Sequence, residues 1–118
     1  MAKPIWIVDD IIANPGKGSA FVDAYMTHYV PGATQRGMTL AFRMVGPAVW
    51  LLDGEPNPDR LLFVWTVHDA NAVWGFKFAG RNDPAVVNWW RAEVPKMIVS
   101  RTRSIMADVD DLAELADV

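Results

Sequence analysis

The chain has 118 residues, of which 52% are hydrophobic and 21% are charged, a balance that predicts one folded domain with a sizeable core. Its net charge of −3 argues against a nucleic-acid partner, which requires a basic surface. The chain has no cysteine, which excludes disulfides, thiolate catalysis and cysteine-bound metals. The N-terminus lacks the apolar run of a signal peptide, and no apolar run approaches the ~20 residues of a membrane span. We therefore expect a cytoplasmic protein with no membrane partner.

The first predicted element is a strand over residues 5–13, which is rich in β-branched residues. The turn formers NPGKGS follow it, and Ser19 is the expected N-cap of a helix over residues 20–30. Pro31-Gly32 is predicted to end this helix, because proline interrupts helical hydrogen bonding.

Two further extended runs come next. Residues 38–52 predict a second strand, which Gly46-Pro47 must break or bulge. The turn-rich loop 53–59 leads to the third strand, LLFVWTVHD, over residues 61–69. This strand carries an indole in its middle and ends in a histidine and an aspartate, which favours a pocket at its end.

A second helical region follows the third strand, and Asp83 with Pro84 restarts it as N-cap and first helical residue. The fourth strand is predicted over residues 99–109. The domain is therefore expected over residues 1–107, with a short acidic tail over 108–118 that forms a final helical turn or is frayed.

The order of these elements is βαββαβ, the ferredoxin-like α+β plan. It predicts a four-stranded antiparallel sheet with both helical regions on one face. The strand residues left for the other face are too apolar to face water, so we expect a second copy of the chain to cover it. Two sheets packed in this way form a barrel-like homodimer, a dimeric α+β barrel, with a cleft in each half.

Three segments of the sequence resemble NIPSNAP-type proteins. The segment IVDDIIANPGKGSAFVDAYMTHYVPGATQRG is similar to their opening, in which a strand leads through Pro-Gly-Lys to a helix. LLFVWTVHD resembles their third strand, where a tryptophan occupies the position of Trp65, and NDPAVVNWW resembles the start of their second helix. The residues that match in the opening segment are Pro15, Gly16, Lys17, Phe21, Pro31 and Gly37.

The resemblance implies membership of the wider dimeric α+β barrel superfamily, with its EthD-like and antibiotic-biosynthesis-monooxygenase-like proteins. That superfamily includes cofactor-free oxygenases, isomerases, dehydratases, lyases and haem-handling proteins. What the resemblance implies is therefore a cleft for a small molecule, and it does not select a reaction.

His68 and Asp69 are the first candidates for chemistry. The pKa of an ordinary histidine lies near neutrality, so His68 is a candidate general acid or base. Asp69 is equally well explained as the N-cap of the helix that starts at Ala70. Adjacent side chains on a strand point to opposite faces, so the two residues share one cleft only where the strand has ended.

Asp9 and Asp10 lie inside an apolar strand and must point to opposite faces. A buried carboxylate needs either a partner or a raised pKa, and the second case would make one of them a general base. The alternative is an ion pair with an arginine of a neighbouring strand, or simple exposure at a kink. The arginines available for this pairing are Arg43, Arg101 and Arg103.

Those three arginines are unusual in mid-strand positions. Arg43 is a candidate partner for a substrate oxyanion. Arg101 and Arg103 share one face of the last strand, and a solvated edge strand explains them more simply than an oxyanion or carboxylate clamp.

Aromatic and thioether side chains are expected to form the walls of the cleft. Tyr25 and His28 lie near the end of the first helix, and His28 also suits the negative end of that helix. Two histidines are too few for a histidine-rich metal site, whereas one axial histidine suffices for haem, so haem is not excluded. The candidate wall residues are Trp50, Trp65, Trp74, Tyr25, His28 and Met44.

The favoured hypothesis is an enzyme that performs acid/base chemistry without a cofactor on a small hydrophobic, aromatic or polyketide-like carbonyl compound. It would be an isomerase, lyase, dehydratase or cyclase with His68, Asp9, Asp10 and Arg43 as catalytic residues. The first alternative is a cofactor-free or haem-dependent monooxygenase that uses the same cleft. The second is a non-catalytic ligand-binding or interaction module whose tryptophans form an interface.

Overall fold

The computed structural model describes residues 4–46 and 59–113. Its four strands form one antiparallel sheet in the order β2-β3-β1-β4, and the helical segments pack on one face of this sheet. The predicted α+β ferredoxin-like plan is therefore confirmed. The strands are β1 (Ile5–Ala13), β2 (Thr39–Gly46), β3 (Arg60–Val67) and β4 (Ile98–Met106).

Each helical region combines α-helix with one five-residue stretch of π-helix. The first region is α1 (Gly18–Ala24), the first π segment (Tyr25–Tyr29) and α2 (Val30–Gln35). The second is α3 (Ala70–Arg81), α4 (Pro84–Asn88), the second π segment (Trp89–Glu93) and a 3₁₀ turn (Val94–Lys96). Another 3₁₀ turn, Val109–Asp111, follows β4.

The predicted helix end at Pro31 is wrong. The helix continues to Gln35, because the first π segment makes a wider helical turn just before the proline. Here the Val30 N–H donates to the Tyr25 carbonyl, five residues back, so the following proline enters the first turn of α2 and breaks no α-helical bond. The second π segment precedes Pro95 in the same way.

The predicted N-cap Ser19 is also wrong. α1 begins at Gly18, and the cap position is Lys17, whose side chain makes no capping bond. The carboxylate of Asp59, which comes just before β3, accepts from the Gly16 N–H at 3.1 Å and from the Gly18 N–H at 3.2 Å. A side chain 40 or so residues away therefore satisfies this helix end, which no local pattern could indicate.

The two predicted aspartate caps are confirmed. Asp69 accepts from the Ala72 N–H at 3.0 Å at the start of α3. Asp83 accepts from the N–H groups of Ala85 and Val86, at 3.1 and 3.5 Å, at the start of α4. Both residues have extended backbone and the short carboxylate that suits an N-cap.

Strand register places alternate residues on the two faces of the sheet. On β1, the helix-facing side is buried and includes Ile7, Asp9 and Ile11. The opposite face, which we call the open face, carries Trp6 stacked on Phe42 of β2 at 6.4 Å between ring centroids. No described residue of the same chain covers the open face; its large exposed side chains include Phe42, Met44 and Met106.

Candidate functional site

A buried carboxylate lies at the centre of the helix-facing side of the sheet. Asp9 is 0% exposed and is paired with Arg103 of β4 in the strand register. Arg103 donates two hydrogen bonds to it, from Nε to Oδ1 and from Nη2 to Oδ2, both at 2.7 Å. Arg101 donates to Oδ1 at 3.3 Å, and the hydroxyl of Tyr25 donates to Oδ2 at 2.8 Å. Asp9 is therefore fully engaged, as a buried charge must be.

The protonation of this cluster follows from its contacts. Burial acts to raise the pKa of Asp9, but the hydrogen bonds and charge of Arg103, helped by Arg101 and Tyr25, bring it below the ordinary 3.8. Burial acts against the charge of Arg103, but Asp9 raises the pKa of that guanidinium above its usual range. Burial and the charge of Asp9 raise the pKa of Tyr25 well above 10. Asp9 is thus an anion and Arg103 a cation at neutral pH.

The ion-pair interpretation of Asp9 is therefore confirmed, with Arg101 and Arg103 and not Arg43 as its partners. The alternative, a general base with a raised pKa, is wrong for Asp9. The solvated edge-strand account of the two β4 arginines is confirmed only in part, because β4 is an edge strand and Arg101 is exposed, whereas the Arg103 side chain is only 20% exposed.

Two residues that were predicted to line the cleft instead hydrogen-bond to this buried cluster. Trp65 and Tyr25 are both 0% exposed, and the Trp65 Nε1–H donates to the Tyr25 hydroxyl at 2.7 Å. The same hydroxyl donates to Asp9, so one hydrogen-bonded chain runs from the indole to the carboxylate. Neither ring lines the cavity described next; both hold Asp9 in place from inside the core.

The two π segments bring an aromatic cluster over the sheet. Tyr29 of the first packs edge-on to Trp90 of the second at 5.3 Å and stacks on Trp89 at 6.3 Å. Arg101 lies over the Trp90 ring at 4.0 Å, a cation–π contact, and Arg103 Nη2 donates to the Tyr29 hydroxyl at 3.0 Å. These contacts join the arginines of β4 to both π segments.

A cavity of about 180 Å³ opens beside this cluster, between the helical layer and β4. Its character is cationic and aromatic, because five arginine or lysine side chains and two aromatic rings meet there and none of the described carboxylates lines it. Guanidinium groups beside aromatic rings are suited to planar anions and to oxyanions. The lining residues are Tyr29, Arg36, Lys77, Gly80, Arg81, Val86, Trp90, Arg101 and Arg103.

The remaining predicted catalytic residues lie elsewhere. Asp10 faces the open side of the sheet and accepts from Arg60 Nη2 at 2.9 Å and Nε at 3.2 Å, an ion pair with an arginine that the sequence analysis did not name. His68 is exposed, one residue past the end of β3, and does not line the cavity. Arg43 and Met44 line a second cavity of about 190 Å³ near β2.

The other predicted wall residues are also apart from the cationic cavity. Trp74 is 72% exposed on α3, where it borders a separate surface pocket of about 510 Å³ with Phe78 and with Lys77 and Arg81, which also line the cationic cavity. His28 is exposed and its ring lies 6.0 Å from that of Trp89. Trp50 lies outside the described residues.

Two searches of the described residues concern metals and membranes. Within 4–46 and 59–113, no group of three or more histidine, aspartate and glutamate side chains is arranged to hold a metal ion. None of the helices in that part of the chain is both long and apolar enough to cross a bilayer.

Seven cavity residues were not named as site residues by the sequence analysis: Tyr29, Arg36, Lys77, Gly80, Arg81, Val86 and Trp90. One signal was available, since Lys77 and Arg81 are four residues apart and so share a helix face. The convergence of the other residues depends on the sheet register and on the π segments, which the sequence pattern did not indicate.

The fold is similar to solved structures of known family. A NIPSNAP-like domain protein from Burkholderia xenovorans matches with a TM-score of 0.72 at 10% identity, over 92% of this chain and 88% of that chain. A NIPSNAP family protein of unknown function from Agrobacterium tumefaciens matches with a TM-score of 0.70 at 9% identity, over 91% and 89%. A protein from Shewanella oneidensis matches with a TM-score of 0.65 at 16% identity, over 92% and 93%.

No protein-family model matches this sequence, and no curated protein matches it. At identities of 9 to 16% the structural likeness concerns the backbone and not the chemistry. It agrees with the three segments of sequence that resemble NIPSNAP-type proteins. The chain therefore has the ferredoxin-like α+β fold found in NIPSNAP-family proteins.

Proposed function

We propose that this protein is a cytoplasmic small-molecule enzyme that catalyses proton transfer, without a cofactor, on an aromatic carbonyl compound bound in the cationic cavity. Enolisation of a carbonyl compound is a step shared by many isomerase, lyase, dehydratase and cyclase reactions. The observation that carries the proposal is the pair Arg101 and Arg103, anchored on the buried Asp9 and facing the cavity beside Tyr29 and Trp90.

The arginine pair is suited to stabilising an enolate. When a C–H bond beside a carbonyl breaks, its electron pair moves toward the carbonyl and negative charge develops on the oxygen. Cationic donors that are already held in place stabilise this charge without reorganising. Asp9 supplies that preorganisation, because its two bonds to Arg103 keep the guanidinium from turning away.

Tyr29 supplies a proton donor next to these cations. Its hydroxyl oxygen accepts from Arg103 Nη2 at 3.0 Å, so its own proton is left to point elsewhere. None of the described residues accepts that proton, and Tyr29 lines the cavity, so the hydroxyl is available to a substrate oxygen. The Trp90 ring, already under Arg101, offers a face for an aromatic substrate.

The proposal assigns the departing carbon-bound proton to water at the cavity mouth. His68, the base predicted from the sequence, is exposed, and neither it nor Asp9 lines the cavity. The oxygens of Asp9 are already engaged by two arginines and Tyr25. We therefore expect His68→Ala to keep most of the activity, whereas Tyr29→Phe and Arg101→Gln reduce it.

The test is exchange of carbon-bound hydrogen in D₂O, followed by proton NMR with phenylpyruvate, an aromatic keto acid. The wild-type protein is expected to accelerate loss of the benzylic proton signal above the buffer rate. Loss of one oxyanion donor commonly lowers a rate by about 10²-fold or more, which sets the scale for Arg101→Gln. An exchange rate equal to that of buffer, or equal rates for wild type and Tyr29→Phe, would contradict the proposal.

A second candidate function is binding without catalysis. It is favoured by the engagement of both predicted aspartates in arginine pairs, which leaves neither as a free base. Native mass spectrometry of the freshly purified protein, together with its absorption spectrum, distinguishes the cases. A bound aromatic anion with no exchange activity would favour the binding module, and a haem mass with a Soret band would favour the monooxygenase alternative.

A further inference from the structure

We infer that the ligand of the cationic cavity is a small dianion, such as a phosphate monoester or a dicarboxylate, and that Arg36 binds its second charge. This inference rests on the proposed site, in which Arg101 and Arg103 take the first anionic group. It adds the charge class of the ligand and a residue that selects for it.

Arg36 is an unusual guanidinium. Its side chain is only 10% exposed, yet its Nε has no hydrogen-bond partner among the described residues. The nearest carboxylate oxygen is Asp83 Oδ2, 3.7 Å from Nη1, which is beyond hydrogen-bond distance. A buried polar group without a partner is costly in a folded protein and calls for an explanation. The Nε is shielded from solvent, so a ligand in the cavity that Arg36 lines would bind through the Nη groups, which make no hydrogen bond to a described residue.

Two glycines leave space for the Arg36 guanidinium. A Cβ atom on Gly32 would lie 3.0 Å from Arg36 Nη1, and one on Gly80 would lie 3.6 Å from Nε. Arg36 therefore lies between α2 and α3, with its charged end 5.7 Å from the Tyr29 ring centroid. The position is set by packing and not by an ion pair of good geometry.

The side chains around the cavity carry more than one positive charge that no described carboxylate balances. Five cationic side chains line it, and the described carboxylates that pair with them are two, Asp9 and Asp83. Three cationic side chains of the cavity have no hydrogen-bonded carboxylate among the described residues, in a chain whose net charge is −3; they are Arg36, Lys77 and Arg81. A monoanion would neutralise only one of them, so a dianion is the better match.

The size of the cavity limits the ligand. Its volume of about 180 Å³ is close to the ~150 Å³ of an engineered protein cavity that takes up benzene. One aromatic ring with anionic groups on it is therefore the right scale. Tyr29 and Trp90 on the cavity wall suit such a ring.

The experiment is isothermal titration calorimetry of three probes in a phosphate-free buffer near pH 7.5. Phenyl phosphate and isophthalate are dianions at this pH, and benzoate is the monoanionic probe. The wild-type protein is expected to bind the dianions roughly tenfold or more tightly than benzoate, the effect of one added charge-assisted contact.

Arg36→Met keeps much of the side-chain volume and is expected to abolish this preference, because it weakens binding of the dianions far more than binding of benzoate. Gly32→Ala is the second variant, because its methyl group displaces the guanidinium without removing any core side chain. It is expected to weaken dianion binding even if Arg36→Met does not fold. Arg91→Gln is the matched control, since Arg91 is exposed and does not line the cavity.

The outcomes distinguish the role of Arg36 from the proposed function of the site. Equal affinities for benzoate and the dianions, or a dianion preference that survives in Gly32→Ala and in folded Arg36→Met, would overturn the role of Arg36 and leave the proposed function standing. Failure of all three probes to bind would overturn both.

Discussion

The adjacent residues Asp9 and Asp10 both pair with an arginine, but the two pairs differ in their exposure to water. Asp9 and Asp10 each accept two hydrogen bonds from one arginine, but Asp9 is 0% exposed whereas Asp10 and Arg60 have side chains that are 32% and 64% exposed. Water screens the outer pair and not the inner one. The same chemical contact is therefore structural on one face of β1 and of little energetic consequence on the other.

Asp9→Asn is expected to lower the free energy of unfolding by about 3–5 kcal/mol, because it leaves the guanidinium of Arg103 buried without a counter-charge. Asp10→Asn serves as the matched control and is expected to have a much smaller effect. Urea denaturation followed by tryptophan fluorescence measures both. Similar losses in the two variants would show that Asp9 is not the buried anchor described above.

The dependence of the unfolding free energy on pH provides a second test of the role of Asp9. Because the pKa of Asp9 is lowered on folding, this group stabilises the fold above its unfolded pKa, and the contribution is lost as the pH falls through the lower folded value. The gap in unfolding free energy between wild type and Asp9→Asn is therefore expected to be constant from about pH 5 to 7 and to shrink below 3.8. Urea titrations at several pH values measure this gap, and a gap that widens on acidification would contradict the assignment.

At the scale of the elements, the two helical regions share a device. Each has a five-residue π segment followed by Val-Pro, at Val30-Pro31 and at Val94-Pro95. The wider π turn lets the helical path continue past a proline that would clash with the preceding turn of an α-helix. It also turns Tyr29 and Trp90 toward each other, so the proline positions and the cavity wall are linked.

The start of α1 gives the prediction for this scale. Asp59→Ala is expected to cost about 1–2 kcal/mol of stability, because it removes the acceptor for the N–H groups of Gly16 and Gly18. Ser19→Ala is expected to be close to neutral, since Ser19 is exposed and is not the N-cap. Thermal unfolding followed by circular dichroism compares the two variants, and a larger loss for Ser19→Ala would restore the local cap that the sequence suggests.

At the scale of the whole molecule, one chain has two layers, a sheet and its helices, and measures 19 Å along its shortest axis. The open face of the sheet carries large apolar side chains that no described part of the chain covers. Phe42, Met44 and Met106 are each more than half exposed there. Apolar surface of this kind on a folded domain is typical of an interface.

We expect the open face to form the homodimer that the sequence predicts. Phe42→Glu is expected to give a folded monomer, because residue 42 is already 55% exposed in the single chain and a charge there obstructs only the interface. Trp74→Gln, on the exposed side of α3, is expected to remain dimeric. Size-exclusion chromatography with light scattering measures both masses, and a monomeric wild type or a Trp74-dependent dimer would exclude this interface.

The order of strands and helices and the caps at Asp69 and Asp83 could be predicted from the sequence, because periodicity and capping act over a few neighbouring residues. The pairing of Asp9 with Arg103 could be named only as one of several options, since it depends on the register of two strands far apart in the chain. The cavity was beyond the reach of sequence patterns for the same reason. Its cations come from α3, β4 and the end of α2, and only tertiary packing brings like charges together against their mutual repulsion, with the buried Asp9 holding part of them in place.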